Sequence, residues 1–184
     1  IIAALLTSLT IAREWEMGTM EQLMSTPVRP SEIVLGNMLA FFFIGVADTV
    51  LSVLVGVFVF DVPFSGSVWV LALTSTVFLT GALFWGILLS AVAKSQLMAF
   101  QMGIFSSVLP AFMLSVFIYA VENMPPAIQA ITRLIPTRFL VTILKGIFLK
   151  GVGLEVLWTD LLYLAGFSIV VFLLATRRLR QKLA

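Results

Sequence analysis

The chain has 184 residues, 61% of them hydrophobic and 11% charged, with a mean hydropathy of +1.15. A water-soluble domain of this size has no interior large enough for so much apolar surface. With neither Cys nor His, the sequence holds no disulfide framework, thiol nucleophile, histidine base or soft-ligand metal site. Eleven cations against nine anions, a net charge of +2, do not make a nucleic-acid surface.

In chain order, Ile1 to Ala12 is an apolar run that meets its first charge at Arg13. It is too short to span and lacks a basic leader region, so it is expected to be the inner end of a truncated helix, with at least one span upstream. Arg13 to Ser31 is polar and amphipathic. Ile33 to Phe60 is the first complete span, interrupted by one acid, Asp48. Asp61-Val-Pro-Phe-Ser-Gly-Ser67 has the composition of a short interhelical turn. Val68 to Val92 is the second span, and a tight Ala93-Lys-Ser-Gln96 turn leads into the third, Leu97 to Val121, which carries Pro110 at mid-helix. After Glu122 to Gly153 comes the last span, Leu154 to Thr176, with Trp158 and Tyr163 as interfacial anchors near its start and Arg177, Arg178, Arg180 and Lys182 after it. The predicted class is all-α: a polytopic helical membrane protein of about four complete spans plus the end of a preceding one.

Placing the C-terminal tail inside also places Arg13, Arg29 and Lys94 inside, seven of the eleven cations once the tail is included. That bias orients the chain under the positive-inside rule, with a cytoplasmic C-terminus.

Three features are candidates for function. In Arg13 to Pro27, at 100° per residue, Met17, Met20, Leu23 and Met24 gather on one side and Glu14, Gly18, Glu21, Gln22 and Ser25 on the other, and Pro27 and Pro30 stop the helix. A short helix of this kind either carries force from a soluble partner into the spans it joins or rests its Met side in lipid headgroups. In the outer segment, Pro125-Pro126 and Pro136 break Glu122 to Gly153 into two short helices. The second carries Phe139, Leu140, Ile143, Leu144 and Ile147 on one side and Arg138, Thr142, Lys145 and Leu149 on another, the pattern of a re-entrant gate or of a loop lying on lipid. The third candidate is Asp48. At mid-span an exposed carboxylate costs at least ~2.5 kcal/mol, so it should face other helices or water, as a functional group or a structural hydrogen-bonding one. The glycines of the spans serve close packing, and the terminal cations anchor topology.

The order of these segments resembles the membrane subunits of type-2 ATP-binding-cassette exporters, bacterial permeases of the multidrug-export kind. The residues that carry the resemblance are Arg13-Glu-Trp-Glu-Met-Gly-Thr-Met-Glu-Gln-Leu-Met-Ser-Thr-Pro27 with Arg29-Pro30 and Gly36, then Asp48, Val62-Pro-Phe-Ser-Gly66, Val121-Glu-Asn-Met-Pro-Pro126, Leu134-Ile-Pro136 and Leu149-Lys-Gly151. The resemblance implies that Arg13 to Pro27 is a cytoplasmic coupling helix docked on a separate ATPase subunit through Arg13, Glu14, Glu16, Thr19, Glu21, Gln22, Leu23, Thr26 and Pro27. It also implies a re-entrant outer gate with Glu122, Pro125, Pro126 and Pro136, and a translocation path that includes Asp48. Family members usually begin with a first span and often a large extracytoplasmic domain, neither of which is in this sequence.

The expected protein is therefore a multi-pass permease of the inner or plasma membrane, paired with a second permease chain as a homo- or heterodimer. It has no cofactor or catalytic residue of its own and contacts membrane lipid but no nucleic acid. ATP-Mg is held by the partner, because no G-x-x-x-x-G-K-[ST] loop occurs here. An amphipathic, drug-like or lipid-like cargo suits spans with so few charges. The alternative is a gradient-driven transporter or channel fragment in which Asp48 handles protons. A membrane-embedded enzyme is disfavoured, because Asp48 and Asp160 sit in different spans and form no dyad.

Overall fold

The computed structural model describes residues 2–19, 22, 27, 29–93, 95–108, 132 and 135–183. Every regular element among them is helical: α1 (Ile2–Glu16), α2 (Pro30–Phe58), α3 (Val68–Val92), α4 (Gln96–Gly103), α5 (Pro136–Lys145) and α6 (Leu154–Leu183). Short π-helical turns extend α4 over Ile104–Val108 and α5 over Gly146–Lys150. Among the described residues, three helices are long and apolar enough to cross a membrane, Ser31–Phe58, Val68–Val92 and Leu154–Gln181. They coincide with the first, second and last of the expected spans. The expected third span is described only as far as Val108, where α-type bonding has already given way to the wider π pattern shortly before Pro110.

Local chemistry sets the helix boundaries. Pro30 opens α2 where a missing N–H costs nothing, and Glu32 reaches back so that its carboxylate accepts the Arg29 N–H at 2.9 Å. Ser95 caps α4, its hydroxyl accepting the Met98 N–H at 3.2 Å. Pro136 takes the first position of α5, after an extended Ile135. Gly151 then ends the π turn with φ +59°, a conformation L-residues rarely hold, and α6 begins at Leu154.

One boundary differs from the sequence expectation. The expected bridge helix was to start at Arg13, but Arg13, Glu14, Trp15 and Glu16 form the last turn of α1. The stop comes at Gly18, at φ +72°, whose N–H bonds to Trp15 O at 3.3 Å as in a Schellman ending. The onset of charge marks a change of solvent, not of backbone conformation. Beyond Gly18, Thr19 and Gln22 are again helical.

The chain divides into two compact units, one of residues 1–45, 79–108 and 168–184 and the other of residues 46–78 and 109–167. In the first, α1, the second half of α3 and α4 pack through small residues. Ala12, Ala93 and Ala99 are fully buried together with Met102 against them, and Ala12 donates its backbone N–H to Ser90 Oγ at 2.8 Å. In the second, Ile143 and Ile147 of the α5 region are fully enclosed with Val70, Leu71, Leu157 and Leu164. Phe64 meets Phe148 edge-on at 5.3 Å, and Phe139 stacks on Tyr163 at 3.9 Å. α6 buries a single stripe, Leu157, Leu164, Ser168, Val171, Ala175 and Leu179, and leaves Ile169, Val170, Leu173 and Leu174 exposed. A helix apolar all round but covered on one stripe is built to face lipid on the rest. α2 is the extreme case, with very little of its apolar surface buried, whereas about half of α3 is enclosed.

Candidate functional site

The chain around the end of α1 is the first candidate. α1 approaches α3 so closely that a Cβ on Gly86 would lie 2.0 Å from Thr7 Oγ1 and 2.4 Å from Ala4 O. On the α4 side, a Cβ on Gly103 would lie 2.9 Å from Leu5 and 3.1 Å from Ser8 Oγ. Ser8 and Thr7 spend their own hydroxyls on carbonyls one turn back, Leu5 O at 2.6 Å and Ala4 O at 3.1 Å, so the seam holds no unpaired hydroxyl at these positions.

At the end of this seam two acidic residues of the expected coupling set, Glu14 and Glu16, have specific partners within the chain. The Glu14 carboxylate and its backbone carbonyl, the latter at 3.3 Å, both accept from Thr19 Oγ1, which closes the Gly18 turn. Glu16 reaches α4, where Oε1 accepts the Gln96 backbone N–H at 2.9 Å and Oε2 accepts Gln96 Nε2 at 2.6 Å. Arg13 and Pro27 are exposed, as is Gln22. Glu21, Leu23 and Thr26 lie outside the described residues. The structure thus brings Glu14 together with Thr19 and takes Glu16 away from that pair to a residue 80 positions later.

Asp48 is exposed on α2, in register with Asn37 and Ser52 at helical spacing. The expectation was a carboxylate covered by neighbouring helices or facing water, and among the described residues no helix encloses it. Gly45, one turn earlier on the same helix, is buried against Leu79, where a Cβ added to the glycine would lie 2.6 Å from Leu79 Cδ1, so the close packing at Gly45 gives way to exposure within one turn.

In the outer segment, Glu122, Pro125 and Pro126 lie outside the described residues, whereas Pro136 is half-buried at the start of α5. The two-sided pattern expected for the following helix is present: Ile143 and Ile147 are fully buried, and Thr142, Lys145 and Leu149 are exposed. Arg138 departs from its expected polar side. It is half-buried and donates to Thr132 Oγ1 at 2.7 Å. The turn after α5 is tightly seated, since a Cβ on Gly66 would lie 2.7 Å from Ile147 O and one on Gly151 2.9 Å from Ser65 O.

Sequence reasoning missed two contacts at this site: Glu16 with Gln96, and Ala12 with Ser90. Each joins residues far apart in sequence, and no local spacing signals such a pair. Among the described residues no cluster of acids could hold a metal ion.

Comparison with known proteins gives a consistent picture. A family model described as ABC-2 family transporter protein matches residues 1–177. The probable multidrug ABC transporter permease YbhS of Escherichia coli is 37% identical over 183 residues, covering 100% of this chain and 48% of that protein. The probable multidrug ABC transporter permease YbhR of the same organism is 31% identical over 157 residues, covering 85% of this chain and 42% of the relative. The inner membrane transport permease YhhJ, also of Escherichia coli, is 30% identical over 186 residues, covering 98% and 48%. The chain therefore spans about half the length of the curated relatives it matches. Helical membrane architecture and a family match over almost the entire sequence lead to one conclusion: the chain belongs to the ABC-2 transporter family and is a membrane permease domain of that family.

Proposed function

We propose that this chain is the membrane-spanning part of an ABC exporter, in which a separate ATPase subunit hydrolyses ATP and the permease moves an amphipathic, drug-like or lipid-like compound across the inner or plasma membrane. The observation that carries the reading is the family match over residues 1–177, joined to relatives whose names describe multidrug ABC transporter permeases. The turn after α1 supports it: Thr19 Oγ1 donates to Glu14 and closes the left-handed Gly18 turn where the packed helix ends, at the start of the stretch proposed as the lever. In this reading the segment from Thr19 to Pro27 docks on the ATPase, and the C-terminal cations lie on the same cytoplasmic side. The protein itself catalyses no reaction, and ATP-Mg belongs to the partner.

Two permease chains, identical or homologous, form the pathway. The exposure of Asp48 supports this arrangement, because a carboxylate at mid-span is stable only beside water or another polypeptide. Asp48 is accordingly assigned to the translocation path, and the Glu122 to Gly153 segment, with Pro136 at the head of α5, to the outer gate. Family membership favours this ATP-driven reading over a gradient-driven transporter built around Asp48.

The test is purification of the full-length permease after coexpression with an ABC ATPase subunit of the same organism. The two should copurify, and the complex in lipid vesicles should move a lipophilic dye such as Hoechst 33342 only with ATP. Dye movement that follows a proton gradient and ignores ATP would contradict the proposal.

A further inference from the structure

We infer that Glu16 is a positioning residue, the joint through which motion of the bridge after Gly18 reaches α4, and not one of the residues that grip the ATPase. This rests on the proposed ATP-driven function and assigns part of its transmission.

The argument begins with the donors at the start of α4. A helix begins with N–H groups that have no partner within it. Ser95 satisfies one of them, the Met98 N–H at 3.2 Å. Another, that of Gln96, the first residue of the helix, is satisfied from a different helix, by Glu16 Oε1 at 2.9 Å. The same carboxylate takes the Gln96 side-chain amide on Oε2 at 2.6 Å, so the contact is two-pronged and fixes direction as well as distance. A negative charge at this end of α4 is also favoured by the helix dipole. Both oxygens of the exposed Glu16 carboxylate are thus already engaged within the chain.

Its location makes it a transmission element. Glu16 is the last residue of α1, and the Gly18 turn follows at once. Below the joint, α1 and α4 are pressed together through Ala12, Ala99 and Gly103, where there is no slack: Ala12 and Ala99 are fully buried and Gly103 abuts Leu5 and Ser8. A push on the bridge therefore arrives at α1's final turn. Glu16 passes it to the first peptide of α4, and the close seam makes the two helices move together. Glu14, by contrast, is spent on Thr19 and stiffens the corner.

The experiment uses the full-length permease isolated through a tag on its ATPase, with Leu97, which is 67% exposed in the first turn of α4, replaced by Cys and labelled with a maleimide in the presence and absence of ATP-Mg. With Glu16 intact, labelling should change several-fold on adding ATP. Glu16→Ala should remove that nucleotide dependence in complexes that still contain the ATPase. Glu16→Gln, which keeps an acceptor for the Gln96 N–H, should restore most of it, and Gln96→Ala, which keeps only the backbone prong, should be intermediate. Nucleotide-dependent labelling that survives Glu16→Ala unchanged would overturn the inference, as would loss of the ATPase from the Glu16→Ala complex, which would make Glu16 a docking residue after all. Labelling insensitive to ATP with Glu16 intact would also overturn it, since α4 would then not move. Failure of the unaltered permease to copurify with the ATPase would instead overturn the underlying ATP-driven reading.

Discussion

Gly86 faces Thr7 at a distance that leaves no room for a side chain: a Cβ there would lie 2.0 Å from Thr7 Oγ1 and 2.4 Å from Ala4 O. One of those atoms is backbone and cannot swing away. Gly86→Ala should therefore force α1 and α3 apart and cost about 1–3 kcal/mol, the usual range for overpacking, in spite of Ala's better helix propensity. Thermal unfolding in detergent should show a clear fall in Tm. Gly56→Ala, at a position with nothing within 4 Å, is the control and should be neutral or slightly stabilising.

The two left-handed glycines should separate in the same assay. Gly18 at φ +72° has open space around it, so Gly18→Ala should cost only the conformational penalty, about 1–2 kcal/mol. Gly151 at φ +59° also abuts Ser65 O at 2.9 Å, so Gly151→Ala carries that penalty and a clash. Its Tm should fall further than that of Gly18→Ala. Gly18→Ala should instead show its larger effect on ATP-driven transport, because the corner it forms aims the bridge.

The α5 region should respond to truncation on one face only. Ile147 is fully buried, and Ile147→Ala should cost about 2–5 kcal/mol, whereas Leu149→Ala, at a residue 64% exposed, should be nearly silent in detergent. Equal losses at both positions would show that this segment packs differently in the assembled protein.

Much of this architecture is legible in the sequence, for a plain reason. Hydropathy reports solvent, so the runs at Ile33 to Phe60, Val68 to Val92 and Leu154 to Thr176 announce themselves, as does the buried face of Ile143 and Ile147. The end of α1 is less legible. Arg13 looks like a boundary because the chain leaves the apolar phase there, yet the helix continues until Gly18 supplies a left-handed stop. Least legible are the contacts that matter most at the candidate site. Glu16 stands among other acids in an amphipathic run and resembles them in every local respect, and its Gln96 partner lies in a short polar turn that reads as mere connection. Asp48 shows the opposite case: sequence identifies it as costly, and it stands exposed on α2, where the proposed pathway between two permease chains would supply the water or the polypeptide it needs.

Asp48→Asn tests what that carboxylate does. In the ATP-driven permease the substitution should leave transport dependent on ATP while lowering the rate for a cationic dye several-fold more than for a neutral one. Dye flux in vesicles under imposed ATP or proton gradients reads this out. Complete loss of a proton-driven flux would favour the gradient-driven alternative.

The measurement closest to the central claim replaces residues 19–27 of the full-length permease with a Gly-Ser tether of equal length and follows dye movement in vesicles containing the ATPase. The spans should still insert and pack, since their buried seams lie elsewhere, and ATP-driven movement should be abolished. Movement at the unaltered rate through the tethered protein would mean that this segment transmits nothing, and the mechanism proposed for the chain would be wrong.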